Sequence, residues 1–255
     1  MVLTIKFLAL FKEKMYYREK GSKRTWEKLS SADKNASYIW IHAASLGEFE
    51  QGRPIIEAIK EKNSQCKILL TFFSSSGYEV RKKYPLADIV CYLPIDTSRN
   101  AKRFVNSIQI EKAIFIKYEF WKNLLSQLHK RGIPTYLVSS IFRENQLFFK
   151  PYGQPHRKVL TLFSHIFVQN ESSKQLLQKI NINNVTVAGD TRCDRVTKIA
   201  QNAKQIPLIK SFSEDADVLV AGSTWERDEK IILRHFNQNP KLKLIVAPHE
   251  MSNRR

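Results

Sequence analysis

The segment Ala43-Ala-Ser-Leu-Gly-Glu48 carries the first group suited to acid–base chemistry. It follows an apolar run, Tyr38-Ile-Trp-Ile-His42, that reads as a strand, and Glu48 stands where the next helix begins. The partial positive charge of a helix N-terminus favours a carboxylate, so Glu48 is expected to be ionised near neutral pH and able to accept a proton. Gly47 is expected to permit the tight turn into that helix. The spacing Ser45-x-x-Glu48 is equally that of a capping box, in which the glutamate only reaches back to a backbone N–H. Both readings stay open on spacing alone. Pro54, within or near the first turns, leaves the first residue of the helix undetermined.

Other polar groups fall just after apolar runs, where open α/β sheets bind their ligands. Phe73-Ser-Ser-Ser-Gly-Tyr78 offers Ser76 and Gly77 in a hydroxyl-rich turn that could hold an anion, or simply cap a helix. In Lys117-Tyr-Glu-Phe-Trp121, Glu119 is a candidate substrate contact or a local ion-pair partner, while Phe120 and Trp121 read as core. Arg192, in Gly189-Asp-Thr-Arg-Cys-Asp194, is a cation suited to phosphate or an ordinary solvated side chain. Gly222-Ser-Thr224 precedes a helical stretch and could cradle a phosphate. His42, His165 and His249 show no paired metal spacing, and Cys66, Cys91 and Cys193 make no CxxC, so neither a metal site nor a disulfide framework is expected. Such cysteine usage fits a reducing compartment.

The elements that must position these groups alternate. Strand-like runs at Tyr38–His42, Lys67–Phe72, Asp88–Leu93, Lys112–Ile116, Thr135–Ser139, His165–Val168 and Val185–Ala188 are separated by helical segments at Ile55–Lys62, Asn100–Ile108, Phe120–Lys130 and Ser172–Ile180. This alternation predicts βαβ units and a parallel, doubly wound α/β sheet with both faces covered. A polar stretch over 203–216 predicts a boundary between a Rossmann-like domain at 36–205 and a second unit at 216–255. The second unit opens with a strand at Asp217–Ala221, a helix at Trp225–Phe236 and a strand at Lys241–Ala247. So few elements cannot close a core, and the chain reads as truncated.

Lys and Arg number 42 against 24 Asp and Glu, a formal charge of +18 that suits a polyanionic partner. No apolar run reaches the roughly 18 residues of a membrane span, and no cleavage site follows the apolar start. Residues 1–30 run from an apolar stretch into Lys12, Lys14, Arg18, Lys20, Lys23, Arg24 and Lys28 interleaved with Tyr16, Tyr17 and Trp26. That pattern predicts an amphipathic helix on an anionic membrane surface, or one packed on its own domain with a solvated basic face. No helix-turn-helix, RRM or zinc-finger pattern points to nucleic acid.

Trp40-Ile-His-Ala-Ala-Ser-Leu-Gly-Glu48, Ser76-Gly-Tyr78, Glu119-x-Trp121, Val168-Gln-Asn-Glu171, Gly189-Asp-Thr-Arg192, Ala221-Gly-Ser-Thr224 and Ala247-Pro-His-Glu250 occur in this order. The set resembles the 3-deoxy-D-manno-octulosonic acid (Kdo) transferases from about residue 9 to 250. The resemblance implies a GT-B glycosyltransferase at the cytoplasmic face of the inner membrane, held peripherally or by its N-terminus. Its donor would be CMP-Kdo and its acceptor the lipid A precursor, with no cofactor or metal. The family's catalytic base falls on Glu48. Acceptor contacts are expected at Ser45, Gly47, Ser76, Gly77 and Glu119, and donor contacts at Arg192, Gly222, Ser223, Thr224, Pro248 and His249. The chain departs from the family pattern at Lys117, where a second acidic residue is common, and at Lys122, where proline is. The family's second domain continues past Ala-Pro-His-Glu, so this polypeptide is not expected to turn over alone. The rival readings are a non-catalytic remnant binding membrane or lipid A, and a GT-B transferase using another sugar nucleotide.

Overall fold

The computed structural model describes Gly21 and residues 24–249. Most of the basic N-terminal segment expected on a membrane surface lies outside the described residues. The chain divides into two units, Met1–Lys198 and Ile199–Arg255.

In the first unit a helix over residues 24–30 (α1) precedes β1 (Tyr38–Ala43), α2 (Leu46–Lys62), β2 (Lys67–Phe72), α3 (Ser75–Arg81), β3 (Ile89–Tyr92), α4 (Ser98–Ser107) and β4 (Ile110–Ile116). Then come α5 (Lys122–Lys130), β5 (Thr135–Ser140), α6 (Gln154–Leu160), β6 (His165–Val168), α7 (Glu171–Gln178), β7 (Val185–Val187) and α8 (Thr191–Gln201). Seven strands form one sheet in the order β3-β2-β1-β4-β5-β6-β7. Every pairing is parallel, with Trp40 opposite Leu69 and Ala113. This is the doubly wound α/β sheet expected from the alternation.

Strand period decides which face each side chain covers. Tyr38 and Trp40 of β1 join Leu69, Phe104, Phe115 and Leu124 in one core. Ile39 and Ile41 point the other way, into a core with Phe49, Ile56, Leu70 and Phe72. Trp40 fixes the first core by packing edge-on to Phe115, 5.0 Å between centroids, and against Phe104 at 4.8 Å. In the order of strands, direction reverses between β1 and β4. The loops leaving their carboxyl ends therefore part there and leave a crevice, the place where such sheets bind ligands. Ala44–Ser45 leaves β1 at this point and Lys117–Trp121 leaves β4.

Several local expectations are corrected. Helix α2 begins at Leu46, where Ser45 and Glu48 suggested, and runs unbroken through Pro54, so the segment read as helical at Ile55–Lys62 is its second half. Gly47 thus lies in the first helical turn rather than in the bend before it, because Ser45, extended at φ −137°, supplies the N-cap. The polar stretch read as a boundary contains a helix, α9 (Pro207–Ser213), with proline in its first turn. The two compact units divide at Lys198/Ile199, within α8.

The second unit holds α9, β8 (Val218–Thr224), α10 (Glu226–Asn237) and β9 (Lys243–Pro248), with β8 and β9 parallel and Ala221 opposite Val246. Gly222, Ser223 and Thr224 end β8, and the register slips between Gly222 and Thr224. Among its described residues only Ala221 and Thr224 are buried, as expected of one βαβ unit without further layers.

Candidate active site

Glu48 stands on the first turn of α2, at the crevice beside β1. Its Oε2 accepts a hydrogen bond from the Ser45 backbone N–H at 2.8 Å and lies 3.2 Å from the Ser45 hydroxyl. The capping box is therefore formed. Among the described residues Oε1 has no hydrogen-bond partner, so one oxygen holds the side chain in place while the other is unengaged. The Glu48 carboxyl titrates above the ordinary glutamate range. Half-burial is the main cause, followed by the negative charge of Glu119, and together they outweigh the Ser45 hydrogen bonds and His42. The helix-terminal charge that was expected to keep Glu48 readily ionised is thus overridden by desolvation. A raised carboxyl is a stronger proton acceptor once ionised.

Behind Glu48 lies a buried polar chain. His42 is fully buried in β1, and its Nε2 stands 3.0 Å from Glu119 Oε2. The same oxygen accepts from Trp121 Nε1 at 2.6 Å. On the other side of the ring, His42 Nδ1 lies 2.8 Å from Thr71 Oγ1, which accepts from Trp40 Nε1 at 2.8 Å. A carboxylate facing a ring nitrogen accepts, so Nε2 is the nitrogen that donates to Glu119, while Nδ1 faces both the Thr71 hydroxyl and, at 3.1 Å, the Thr71 carbonyl. Glu119 is only 7% exposed. Trp121 packs at the rim of the core, and its indole is also held by Phe73 at 4.8 Å between centroids.

Two non-glycine residues near the carboxyl ends of these strands take left-handed backbone conformations: Lys117 after β4 (φ 70°) and Ser139 in β5 (φ 57°). Such strain gathers at sites that the surrounding structure over-determines.

Ser76 is exposed and hydrogen-bonds Ser74, Oγ to Oγ at 2.6 Å, so its hydroxyl is engaged within its own turn. Gly77 is buried where α3 meets the Ser45 turn. A Cβ there would stand 2.3 Å from Phe72 Cδ1 and 3.0 Å from the Ser45 carbonyl carbon. Gly47 is the opposite case, exposed, with only Ser45 Oγ within 4.0 Å of such a Cβ.

Arg192 is not a free cation. Its Nε and Nη2 both bond Asp190 Oδ2, at 2.9 and 2.5 Å, and Asp190 is pulled down to about 2, chiefly by that pairing. Thr191 donates to the Gln51 carbonyl at 2.7 Å and lies 3.0 Å from Ser139 Oγ. Glu50, beside Gln51 on α2, pairs with Arg81 of α3 at 2.9 Å and with Arg195 of α8. Helix α2 therefore gathers the Gly189–Arg192 loop and α3 around the turn that carries Glu48.

The remaining expected residues, Gly222, Ser223, Thr224, Pro248 and His249, belong to the second unit. Ser223, at φ 58°, faces His249 Nδ1 through its hydroxyl at 2.8 Å. Trp225 stacks on the same ring, 4.5 Å between centroids. The structure thus gathers Ser45, Gly47, Glu48, Gly77 and Glu119 in one unit, and Ser223, Thr224, Pro248 and His249 in the other. Among the described residues no three His, Cys, Asp or Glu side chains gather as metal ligands, and no helix is long and apolar enough to cross a membrane.

Sequence reasoning weighed His42 only as a metal ligand and passed over Thr71 and Gln51. The signal was available for the first two: a histidine and a threonine inside otherwise apolar, buried strands must find partners.

Comparison with known proteins completes the description. A sequence model of the 3-deoxy-D-manno-octulosonic-acid transferase (kdotransferase) N-terminal domain matches residues 12–195. The 3-deoxy-D-manno-octulosonic acid transferase of Haemophilus influenzae is 28% identical over 226 residues, covering 82% of this chain and 51% of its own length. That of Aquifex aeolicus is 28% identical over 221 residues, covering 84% and 55%. The chain spans about half the length of these relatives. Among solved structures, the UDP-GlcNAc 2-epimerase of Neisseria meningitidis bound to UDP-GlcNAc superposes with a TM-score of 0.59 at 16% identity, over 82% of this chain and 64% of that one. A second UDP-N-acetylglucosamine 2-epimerase gives 0.58 at 13%, over 82% and 63%. These likenesses place the fold in the GT-B class.

Proposed function

The chain belongs to the 3-deoxy-D-manno-octulosonic acid (Kdo) transferase family, and on that premise we propose that its first unit is the acceptor-binding half of a glycosyltransferase moving Kdo from CMP-Kdo to a lipid A precursor. Glu48 takes the proton of an acceptor sugar hydroxyl as that oxygen attacks the anomeric carbon of Kdo. The bond to CMP breaks on the opposite face, configuration inverts, and CMP leaves carrying the electron pair. Backbone amides and the Asp190-oriented Arg192 stabilise the departing charge, and Ser223, Thr224, Pro248 and His249 contribute donor contacts from the second unit. Ser45, Gly47, Ser76 and Gly77 form the acceptor side. The basic chain gathers the acceptor's phosphates and an anionic inner-membrane surface on the cytoplasmic side, without a nucleic-acid partner.

The observation that carries this reading is the divided use of Glu48: one oxygen capped by Ser45, the other unspent, on a carboxyl whose proton affinity burial has raised. A chimera joining residues 1–249 to the remaining C-terminal part of the Haemophilus influenzae relative provides the test. With CMP-Kdo and lipid A precursor it is expected to release CMP and add the sugar mass to the acceptor. Glu48→Gln is expected to abolish both while leaving the circular dichroism unchanged. Retained turnover in the variant overturns the assignment. A second reading, lipid binding without transfer, draws on the little-buried second unit. It predicts that the chain co-sediments with anionic liposomes while the chimera releases no CMP.

A further inference from the structure

We propose that His42 and Glu119 are positioning residues of this site: the buried imidazole, donating from Nε2, pins the Glu119 carboxylate as a stationary negative charge behind Glu48, and proton transfer to Glu48 depends on that charge without Glu119 touching the acceptor. This rests on the reading of Glu48 as the base.

The geometry is specific. Glu119 Oε2 receives two N–H groups, from His42 at 3.0 Å and Trp121 at 2.6 Å. An oxygen with two donors aimed at it is held as the charged acceptor. Each donor is itself held: His42 by Thr71, and Thr71 by Trp40, while the Trp121 indole is braced by Phe73 and His42, at 4.8 and 6.0 Å between centroids. Five side chains from β1, β2 and the loops after β2 and β4 therefore fix one oxygen. A buried hydrogen-bonded pair is no better for stability than apolar residues of the same volume, which makes such a chain poor evidence of a merely structural role. Glu119 is too buried, at 7% exposure, to offer a large ligand surface. Its effect can still reach Glu48 through space, because a low-dielectric interior weakens charge interactions far less than water does.

The ionisable groups acting on Glu48 are Glu119, in the loop after β4, and His42, on β1, alongside the hydrogen bonds of Ser45 on its own turn. Glu119 disfavours the Glu48 anion and so favours its protonated form. His42 and Ser45 act in the opposite sense. Burial adds to the effect of Glu119. Removing the Glu119 charge while keeping its shape should therefore make Glu48 easier to ionise and a weaker base.

The test uses the 255-residue chain labelled with carboxyl-¹³C glutamate, the Glu48 resonance being identified by its loss in Glu48→Gln. Its titration midpoint is followed in the wild type, Glu119→Gln and Glu119→Asp. The expected result is a downward displacement in Glu119→Gln and a midpoint close to wild type in Glu119→Asp, which keeps the charge. Trp121→Phe removes the indole donor toward Glu119 without removing an ionisable group and is expected to lower the midpoint, so it carries the test if the Glu119 variants do not fold. In the chimera, Glu119→Gln is expected to lower kcat at neutral pH about three- to tenfold, to move the acid limb of the rate profile to lower pH, and to leave KM for the lipid acceptor unchanged. A folded Glu119→Gln chain with an unmoved Glu48 midpoint overturns the proposal, as does a loss confined to KM, which would make Glu119 a direct acceptor contact. Retained transfer in Glu48→Gln would instead remove Glu48 as the base and leave the titration result standing.

Discussion

Gln51 and Asp190 lie 139 residues apart in sequence and meet at 3.0 Å, the amide Nε2 donating to Oδ1. The contact joins α2, one turn after Glu48, to the loop that aims Arg192. Asp190 titrates at about 2 rather than the ordinary 3.8, mainly because Arg192 grips it. A depressed carboxylate binds its proton more readily in the unfolded chain, so its stabilising effect is complete above about pH 4 and disappears as pH falls through about 2. Thermal unfolding followed across that window should show the wild-type midpoint dropping toward that of Asp190→Asn. The variant should lack this component, and the two curves should converge at the acid end. Parallel curves would show that the ion pair contributes nothing to folding.

Ser45 and Glu48 share one capping box, yet their variants should separate structure from chemistry. Ser45→Ala removes the hydroxyl facing the Glu48 N–H and should cost about 1 kcal/mol in denaturant unfolding. Glu48→Gln keeps an oxygen that can accept from the Ser45 N–H, so its unfolding free energy should stay within about 0.5 kcal/mol of wild type while transfer by the chimera is lost. A destabilisation of Glu48→Gln as large as that of Ser45→Ala would mean the carboxylate serves chiefly as a cap.

Pro54 offers no N–H to the Glu50 carbonyl, although α2 continues on both sides of it. Pro54→Ala should restore that bond and raise the unfolding free energy by about 1–3 kcal/mol. Glu48 lies upstream of the interruption, so its titration should not change. If stability falls instead, the ring's packing outweighs the missing hydrogen bond.

Much of this fold was legible because strands buried on both faces announce themselves. Lys67–Phe72 and His165–Val168 form with the boundaries their apolar runs suggested. The start of α2 was legible in its capping pair, but its unbroken run was not, since Pro54 is a strong local breaker and the buried Phe49 and Ile56 hold the helix on either side of it. Glu48 could be found because its capping partner is three residues away. His42 could not be given a role, because its partners are Thr71 and Glu119, residues brought to it by sheet pairing and by the return of the chain after β4. A solitary histidine in sequence carries no sign of such partners beyond the oddity of a polar residue in an apolar strand. Ser223 and His249 show the same limit, 26 residues apart in sequence and joined only where β8 and β9 end.

Gly77 and Gly47 flank the Ser45 turn, and the space around them predicts opposite outcomes for the same substitution. At Gly77 an added methyl meets the Phe72 ring and the backbone of Ser45, neither of which can swing aside as a surface side chain would. Gly77→Ala should destabilise the fold by about 1–3 kcal/mol and displace the turn that holds Glu48. At Gly47 the methyl enters open space on an exposed face of a helix, and alanine there should add about 0.5–1 kcal/mol of stability. Folding therefore gives no reason for glycine at 47, whereas an acceptor sugar approaching the free oxygen of the adjacent Glu48 does. In the chimera, Gly47→Ala should raise KM for the lipid acceptor while the protein melts at a higher temperature. If KM and kcat both stay at wild type as stability rises, the acceptor does not pass over this turn, and its approach to Glu48 must come from the side of the loop after β4.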